Sequence, residues 1–396
     1  MNVVIVGAAA AGLATAETLR QDGFGGTVTL IGDEEHLPYD RPPLSKQVLS
    51  GTWSHERLRL REQDALAASG IDLRLGTRAV AVDPGRREVR YTDGVVAYDE
   101  LVVATGVRPR RLPGSDGVPG VHVLRDLADG LALRDVLAGK PRLVVVGAGF
   151  LGAEVAAVAR QAGADVTLVS DLPAPLSDVL GPEIGEFLLG THIDQGVRVL
   201  RGTRVEQVLT EDGRASGVRL ADGRTVAADA VLVAIGSVPA TEWLAGSGIP
   251  LGDGVVCDEF CRAAPHVWAA GDVASWWHAG LGERLRLEHR TNAAEQGRAV
   301  ARNILAATPV PFTPVPYIWS DQYDLKIQIH GTPRGCDRMT VVDGSLAERK
   351  FVALYGAHGV VRAAVGVNSP RALRAARAHL STPTPWETVT GQGVPA

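Results

Sequence analysis

The residues of this chain with the clearest chemical use are glycines in two short turns. Residues 3–12 read VVIVGAAAAG, an apolar run followed by Gly7 and Gly12 with Ala9 and Ala11 between them. A strand that runs through G-x-G-x-x-G into a helix presents backbone N–H groups to a pyrophosphate. The first glycine makes the tight turn, the second lets backbone approach the phosphates, and the third lets helix pack on strand. Here Ala9 holds the middle place, and its one methyl hinders close approach without forbidding it. Alone, the stretch reads equally as a strand and an alanine-rich helix. Two further observations decide. Asp33 follows the apolar run Thr27 to Ile31 and lies 21 residues beyond Gly12, where the pattern places an acceptor for a ribose hydroxyl. The pattern also recurs: LVVVGAGFLGAEVAAVARQAG at 143–163 aligns with 3–23 at a constant offset of 140. This second turn carries Gly147, Gly149, Phe150, Leu151 and Gly152, and DVTLVSD at 165–171 repeats TVTLIGD at 27–33. Ser170 and Asp171 then stand opposite Gly32 and Asp33. Two such units in one chain predict two dinucleotide sites.

The elements that must hold these turns predict an α/β chain with one Rossmann-like domain inserted into another. The first unit ends on the buried-type strand Leu101–Ala104 and ATGVRP; the second ends on the strand Asp229–Ala234 and AIGSVP. The matching exits predict one nucleotide-binding domain over 1–108 and 240–310, with a second inserted over 109–239 between. Within the second domain, helices are expected from Leu151 and near Pro182–Gln195, and a turn at Asp222-Gly223. A helix of about 14 residues is expected from Asn292. After the proline-rich stretch 307–317, β-like runs at Lys326–His330, Thr340–Asp343, Phe351–Tyr355 and Val360–Val367 predict a C-terminal α+β domain over 311–396. Its closing helix should have Ser369 as N-cap and Pro370 at the first position. The last dozen residues read as a loose tail.

Composition narrows the function. The 396 residues are 45% hydrophobic, enough for several cores. A net charge of −5 implies no nucleic-acid partner. A strand beginning at Val3 leaves no room for a leader, no apolar run is long enough to span a membrane, and three cysteines suit reduced thiols in a cytoplasm. Cys257 and Cys261 stand four apart without a histidine cluster, so they read as idle thiols rather than a metal site.

Taken in order, PYDRPPLSK (38–46), ATG (104–106), GAGFLGAE (147–154), AAGD (269–272), NAAEQGR (292–298) and WSDQYDLKIQ (319–328) carry a resemblance. The chain resembles the FAD-dependent NAD(P)H:ferredoxin reductases of the putidaredoxin reductase type, over nearly its whole length. That resemblance implies FAD on the first unit, its pyrophosphate at the Gly7–Gly12 turn and Ala11, its adenosine ribose on Asp33. It implies adenine near the backbone of Val80, the exit residues Ala104 and Gly106 beside the cofactor, and Asp272 on the ribityl chain. Arg41 and Arg125 are implied as flavin contacts, and the helix near Asn292 as a positive dipole aimed at the flavin.

The resemblance also places Lys46 by flavin N5, paired with Glu154, and Trp319 over the nicotinamide pocket as the third catalytic residue. NADH is implied on the second unit, at Gly147, Gly149, Phe150, Leu151, Gly152, Ser170, Asp171 and Gly236. NADPH is less expected, because Asp171 repels a 2′-phosphate while Ser170 could admit one. Arg290 departs from the apolar or aromatic residue that relatives often carry beside the flavin, and a cation there could raise the flavin potential or alter partner docking. The chain lacks the paired cysteines that disulfide reductases carry on their first helix. The implied activity is electron transfer from NADH to a small [2Fe–2S] ferredoxin serving a monooxygenase or ring-hydroxylating oxygenase. The alternatives are a relative that reduces rubredoxin, a quinone or oxygen, and a redox-responsive binding flavoprotein of the apoptosis-inducing-factor kind.

Overall fold

A computed structural model describes residues 1–390 and divides into two units, each formed from three stretches of chain. The first takes Met1–Pro42, His55–Arg108 and Ser237–Pro314; the second takes Pro43–Ser54, Pro109–Gly236 and the chain from Val315.

The first unit is built on a six-stranded sheet in the order Arg262–Ala264, Val267–Ala269, Glu100–Val103, Asn2–Val6, Thr27–Ile31, Asp72–Arg74. Its three central pairings are parallel. Asn2–Val6 is valine and isoleucine from its second residue on, Thr27–Ile31 continues as Val28, Thr29, Leu30 and Ile31, and both runs are buried there, as a parallel sheet covered on both faces requires. The helices Ala10–Gln21 and Arg290–Leu305 pack closely: a Cβ on Gly297 would lie 2.4 Å from the Ala11 carbonyl oxygen. Arg290–Leu305 begins two residues before the expected Asn292, with His289 as its N-cap.

In the second unit a parallel sheet runs Arg198–Leu200, Asp165–Val169, Arg142–Val146, Ala230–Val233, Val121–His122. The helix Phe150–Gln161 follows the second glycine turn. The helix Ser177–Asp194 is interrupted at Gly181, so Pro182 opens its second part, where sequence places the start of a helix. The helix Leu127–Ala138, unanticipated in the sequence, is opened by a capping box between Asp126 and Asp129. The C-terminal part is a five-stranded antiparallel sheet, Tyr317–Gln322, Leu325–Gly331, Val360–Val367, Lys350–Ala357, Arg338–Ser345. Its first strand escaped the sequence reading because it emerges directly from the proline-rich stretch.

At the C-terminus one expectation holds in position and one changes. Ser369 stands at the cap of Pro370–Ala376, but its hydroxyl makes no cap bond and is buried without a partner. The loose tail is partly ordered. Trp386 is 5% exposed and lies against Gly356, and Trp386–Thr390 is helical. The rest of that tail, 391–396, lies outside the described residues. Among the described residues, no helix is long and apolar enough to cross a membrane.

Candidate active site

The first turn takes its shape from two glycines. Gly7 has φ +119°, and a Cβ there would lie 2.1 Å from the Ala104 carbonyl oxygen. A Cβ on Gly12 would lie 2.0 Å from the Gly7 carbonyl oxygen. The second turn repeats this: Gly147 has φ +102° with Ala234 O 2.3 Å from its Cβ position, and Gly152 has Gly147 O at 1.9 Å. Ala9 and Gly149, by contrast, both have negative φ in the extended region, and a Cβ on Gly149 would meet nothing within 4 Å. Neither helix has a side-chain cap or an acidic residue in its first turn, unlike the boxed helix at Leu127. Helix N-termini left uncapped beside an open backbone cradle suit an anionic pyrophosphate, so both turns fit a dinucleotide.

Two residues past the end of Thr27–Ile31 stands Asp33, and two past Asp165–Val169 stands Asp171; both are exposed. Ser170 differs from Asp171. It is 5% exposed, and its hydroxyl oxygen accepts from the Leu172 N–H at 3.1 Å. The loop after Asp171 meets a cation from elsewhere: Arg201 donates to the Pro173 carbonyl at 3.3 Å and is paired with Glu186 at 2.7 Å.

Elsewhere in the first unit, Arg41 pairs with Glu34 at 2.5 Å, lies over the Tyr39 ring at 5.1 Å, and feels the charge of Asp272. Asp272 follows the strand Val267–Ala269, with the Gly271 N–H donating to Gln296 Oε1 at 2.9 Å. Arg290 is paired with Asp40 at 2.5 Å, so its charge is matched locally. Val80 is exposed on Ala79–Asp83, and Ala104 is buried against the first turn with Gly106 just beyond it.

In the second unit, Lys46 follows the short helix Pro42–Ser45, and Glu154 lies on the buried face of Phe150–Gln161. They form an ion pair at 2.6 Å, with side chains 11% and 6% exposed. Burying two charges costs several kcal/mol unless every remaining lone pair is used. Here Ser45 donates to Glu154 Oε2 at 2.6 Å and Ser320 to Oε1 at 2.7 Å. The carboxylate is fully engaged. Leu44 anchors the segment, lying 3.2 Å from a Cβ position on Gly130. Trp319 is half-buried on Tyr317–Gln322 and stacks on Tyr317 with ring centroids 5.9 Å apart. The Arg125 N–H donates to Asp129, and Gly236 lies at the exit of the strand Ala230–Val233, accepting from the Arg110 N–H.

Sequence reading missed Ser45, Ser320, Glu34 and Asp40. Each of the four stands beside a residue assigned to the site, and all but Glu34 lie inside motifs already singled out; what carries no sequence signal is their pairing. Cys257 and Cys261 are buried free thiols, and burial pushes Cys261 up to about 12. Among the described residues, no group of three or more histidine, cysteine or acidic side chains could hold a metal.

Two uncapped glycine turns suited to dinucleotides, a buried Lys–Glu pair and a separate antiparallel sheet are the main features of the site. The chain belongs to the pyridine nucleotide-disulphide oxidoreductase family, whose model matches residues 1–297, with a reductase C-terminal domain matching 317–389. It is 38% identical over 388 residues to rhodocoxin reductase of Rhodococcus erythropolis, covering 97% of this chain and 90% of that one. It is 37% identical to putidaredoxin reductase of Pseudomonas putida, covering 93% and 89% of the two chains. Among solved structures, the covalent putidaredoxin reductase–putidaredoxin complex matches with a TM-score of 0.94 at 34% identity, covering 100% of this chain and 96% of that chain.

Proposed function

We propose that this chain is an FAD-dependent NADH:ferredoxin reductase that passes electrons to a small [2Fe–2S] ferredoxin serving a monooxygenase or ring-hydroxylating oxygenase. Relatives named as ferredoxin reductases across nearly the whole chain support this, as does a solved neighbour joined to its own putidaredoxin. The observation that carries the reading is the buried Lys46–Glu154 pair together with two turns shaped for dinucleotides.

Bound FAD supplies the hydride acceptor and the route by which two electrons leave singly. The protein's part is binding and electrostatics. The Gly7–Gly12 turn, Asp33 and Asp272 would hold FAD, with Arg41 held by Glu34 within the field of Asp272. The Gly147–Gly152 turn and Asp171 hold NADH. Lys46 would offer its positive charge to the reduced flavin, and Glu154 makes that buried charge tolerable. Trp319 covers the nicotinamide pocket. Asp40 neutralises Arg290, so a full positive charge is not left to act on the flavin potential. Asp171 accepts from a ribose 2′-OH and repels a 2′-phosphate, so NADH is preferred. The free thiols suit a cytoplasmic enzyme.

The test is reconstitution. One FAD per chain is expected, together with NADH-dependent reduction of cytochrome c that requires an added [2Fe–2S] ferredoxin. Protein that takes up no FAD, or that reduces cytochrome c equally without ferredoxin, contradicts the assignment.

A further inference from the structure

Glu154 ends a longer row of polar side chains buried in the second unit. Ser320 and His192 are 0% exposed and Gln322 1%. Ser320 Oγ lies 2.7 Å from Glu154 Oε1, and Gln322 Nε2 lies 3.3 Å from Ser320 Oγ. His192 Nε2 lies 3.2 Å from Gln322 Oε1, and the Tyr323 hydroxyl 2.9 Å from His192 Nδ1.

The direction of every bond in this row is set by one charge. The Glu154 carboxylate, paired with Lys46, can only accept. Ser320 has a single hydroxyl hydrogen, so it donates to Glu154 and its oxygen accepts from the Gln322 amide. Gln322 must therefore turn its carbonyl to His192. His192 then carries its proton on Nε2, and its bare Nδ1 accepts from Tyr323. Burial lowers the His192 pKa to about 4 and so keeps the neutral imidazole this order requires; burial also raises the Tyr323 phenol and keeps its proton in place. Tyr323 holds φ +56° in the two-residue turn between Tyr317–Gln322 and Leu325–Gly331. That conformation is costly for a bulky residue, yet here it brings the phenol to His192, with ring centroids 5.3 Å apart.

We propose that Ser320, Gln322 and His192 form a polarised hydrogen-bond row of positioning residues. It holds Glu154 charged and aimed at Lys46, and so supports hydride transfer. No proton travels along it, because an amide in the row does not conduct protons readily; each donor simply points toward Glu154. The inference rests on the role proposed above for the Lys46–Glu154 pair.

The experiment is a substitution cycle on FAD-loaded protein, reading single-turnover flavin reduction by NADH. Gln322→Met keeps side-chain length and loses the amide; Ser320→Ala loses the hydroxyl. Each is expected to slow reduction about fivefold, with the apparent Kd for NADH within about twofold of the unmodified protein. The double variant should also be slowed about fivefold, because Gln322 acts only through Ser320. Independent effects, multiplying to about 25-fold, would overturn the row. His192→Gln keeps a donor toward Gln322 and should stay within about twofold of the unmodified rate, whereas His192→Phe should fall about fivefold. Equal rates in those two variants would also overturn it, as would loss of flavin at an unchanged rate per bound flavin. Lys46→Ala in the same assay separates the failures. If it leaves the rate unchanged, the role of the ion pair falls. If it slows the rate while Gln322→Met and His192→Phe do not, the positioning row alone falls.

Discussion

The two glycine turns differ by one residue, and the backbone says which glycines matter. At the first place both turns need positive φ, and at the third place both helices press on the carbonyl of the first glycine. At the middle place Ala9 and Gly149 share an extended conformation open to any residue. The missing glycine of GAAAAG therefore does not weaken the turn: the constraint lies at Gly7 and Gly12. The two units differ more in the loops after their second strands. The first continues with Gly32 and Asp33. In the second, Ser170 is turned inward to its own loop, which leaves Asp171 as the exposed group.

Substitution should split each turn into one neutral place and two forbidden ones. Gly12→Ala and Gly152→Ala force a Cβ to 2.0 and 1.9 Å, respectively, from a carbonyl oxygen, far inside van der Waals contact. Each is expected to cost about 3 kcal/mol or more, since backbone rather than a flexible side chain must move. Thermal unfolding with and without FAD measures this. Wild-type-like melting in either variant would break the equivalence of the two turns.

Next in size is Lys46→Ala, expected to slow single-turnover reduction by NADH about a hundredfold, the low end for a positioned acid–base group. FAD retention should change far less, because the turn, Asp33 and Asp272 remain. Equal losses of rate and of flavin would instead make Lys46 a binding residue.

The loops after the second strands give a smaller contrast. NADH should exceed NADPH by about tenfold in kcat/KM, or about 1.4 kcal/mol. Asp171→Ala should narrow that gap, whereas Asp33→Ala should weaken FAD without changing the preference. Arg201 lies at the same loop but is held by Glu186. Glu186→Gln should therefore raise NADPH use about threefold, a charge effect of under 1 kcal/mol at an exposed site. Steady-state ferricyanide reduction with each nucleotide reads all of these. The smallest expected effect is Ala9→Gly or Gly149→Ala, each within about 1 kcal/mol, the usual scale of an alanine–glycine exchange.

Much of this was legible in the sequence, because the turns are local. A strand, two glycines and an acidic residue at fixed spacing need no distant partner, and the repeat at 143–163 resolved what one copy left open. The Lys46–Glu154 pairing is not local: the two residues are 108 apart, and only the resemblance joined them. Ser320 and Gln322 were visible as letters in WSDQYD, but nothing in their spacing says that a helix over 150–161 lies against that strand. The match between Arg290 and Asp40, 250 residues apart, was equally invisible, so sequence exposed a bare cation where the structure has an ion pair. The strand at Tyr317 was hidden by its prolines, whereas Ser369 and Pro370 stand at the cap and first helical position expected of them, without a side-chain cap bond.

The most direct measurement is anaerobic stopped-flow of the FAD-loaded protein. It is reduced by one equivalent of NADH and then mixed with a small [2Fe–2S] ferredoxin, while flavin and iron–sulfur absorbance are followed together. The expected result is rapid flavin reoxidation that keeps pace with ferredoxin reduction, two ferredoxins for each NADH. A reduced flavin–nicotinamide complex that persists in the presence of ferredoxin would contradict electron transfer as this protein's function and favour a redox-responsive binding role.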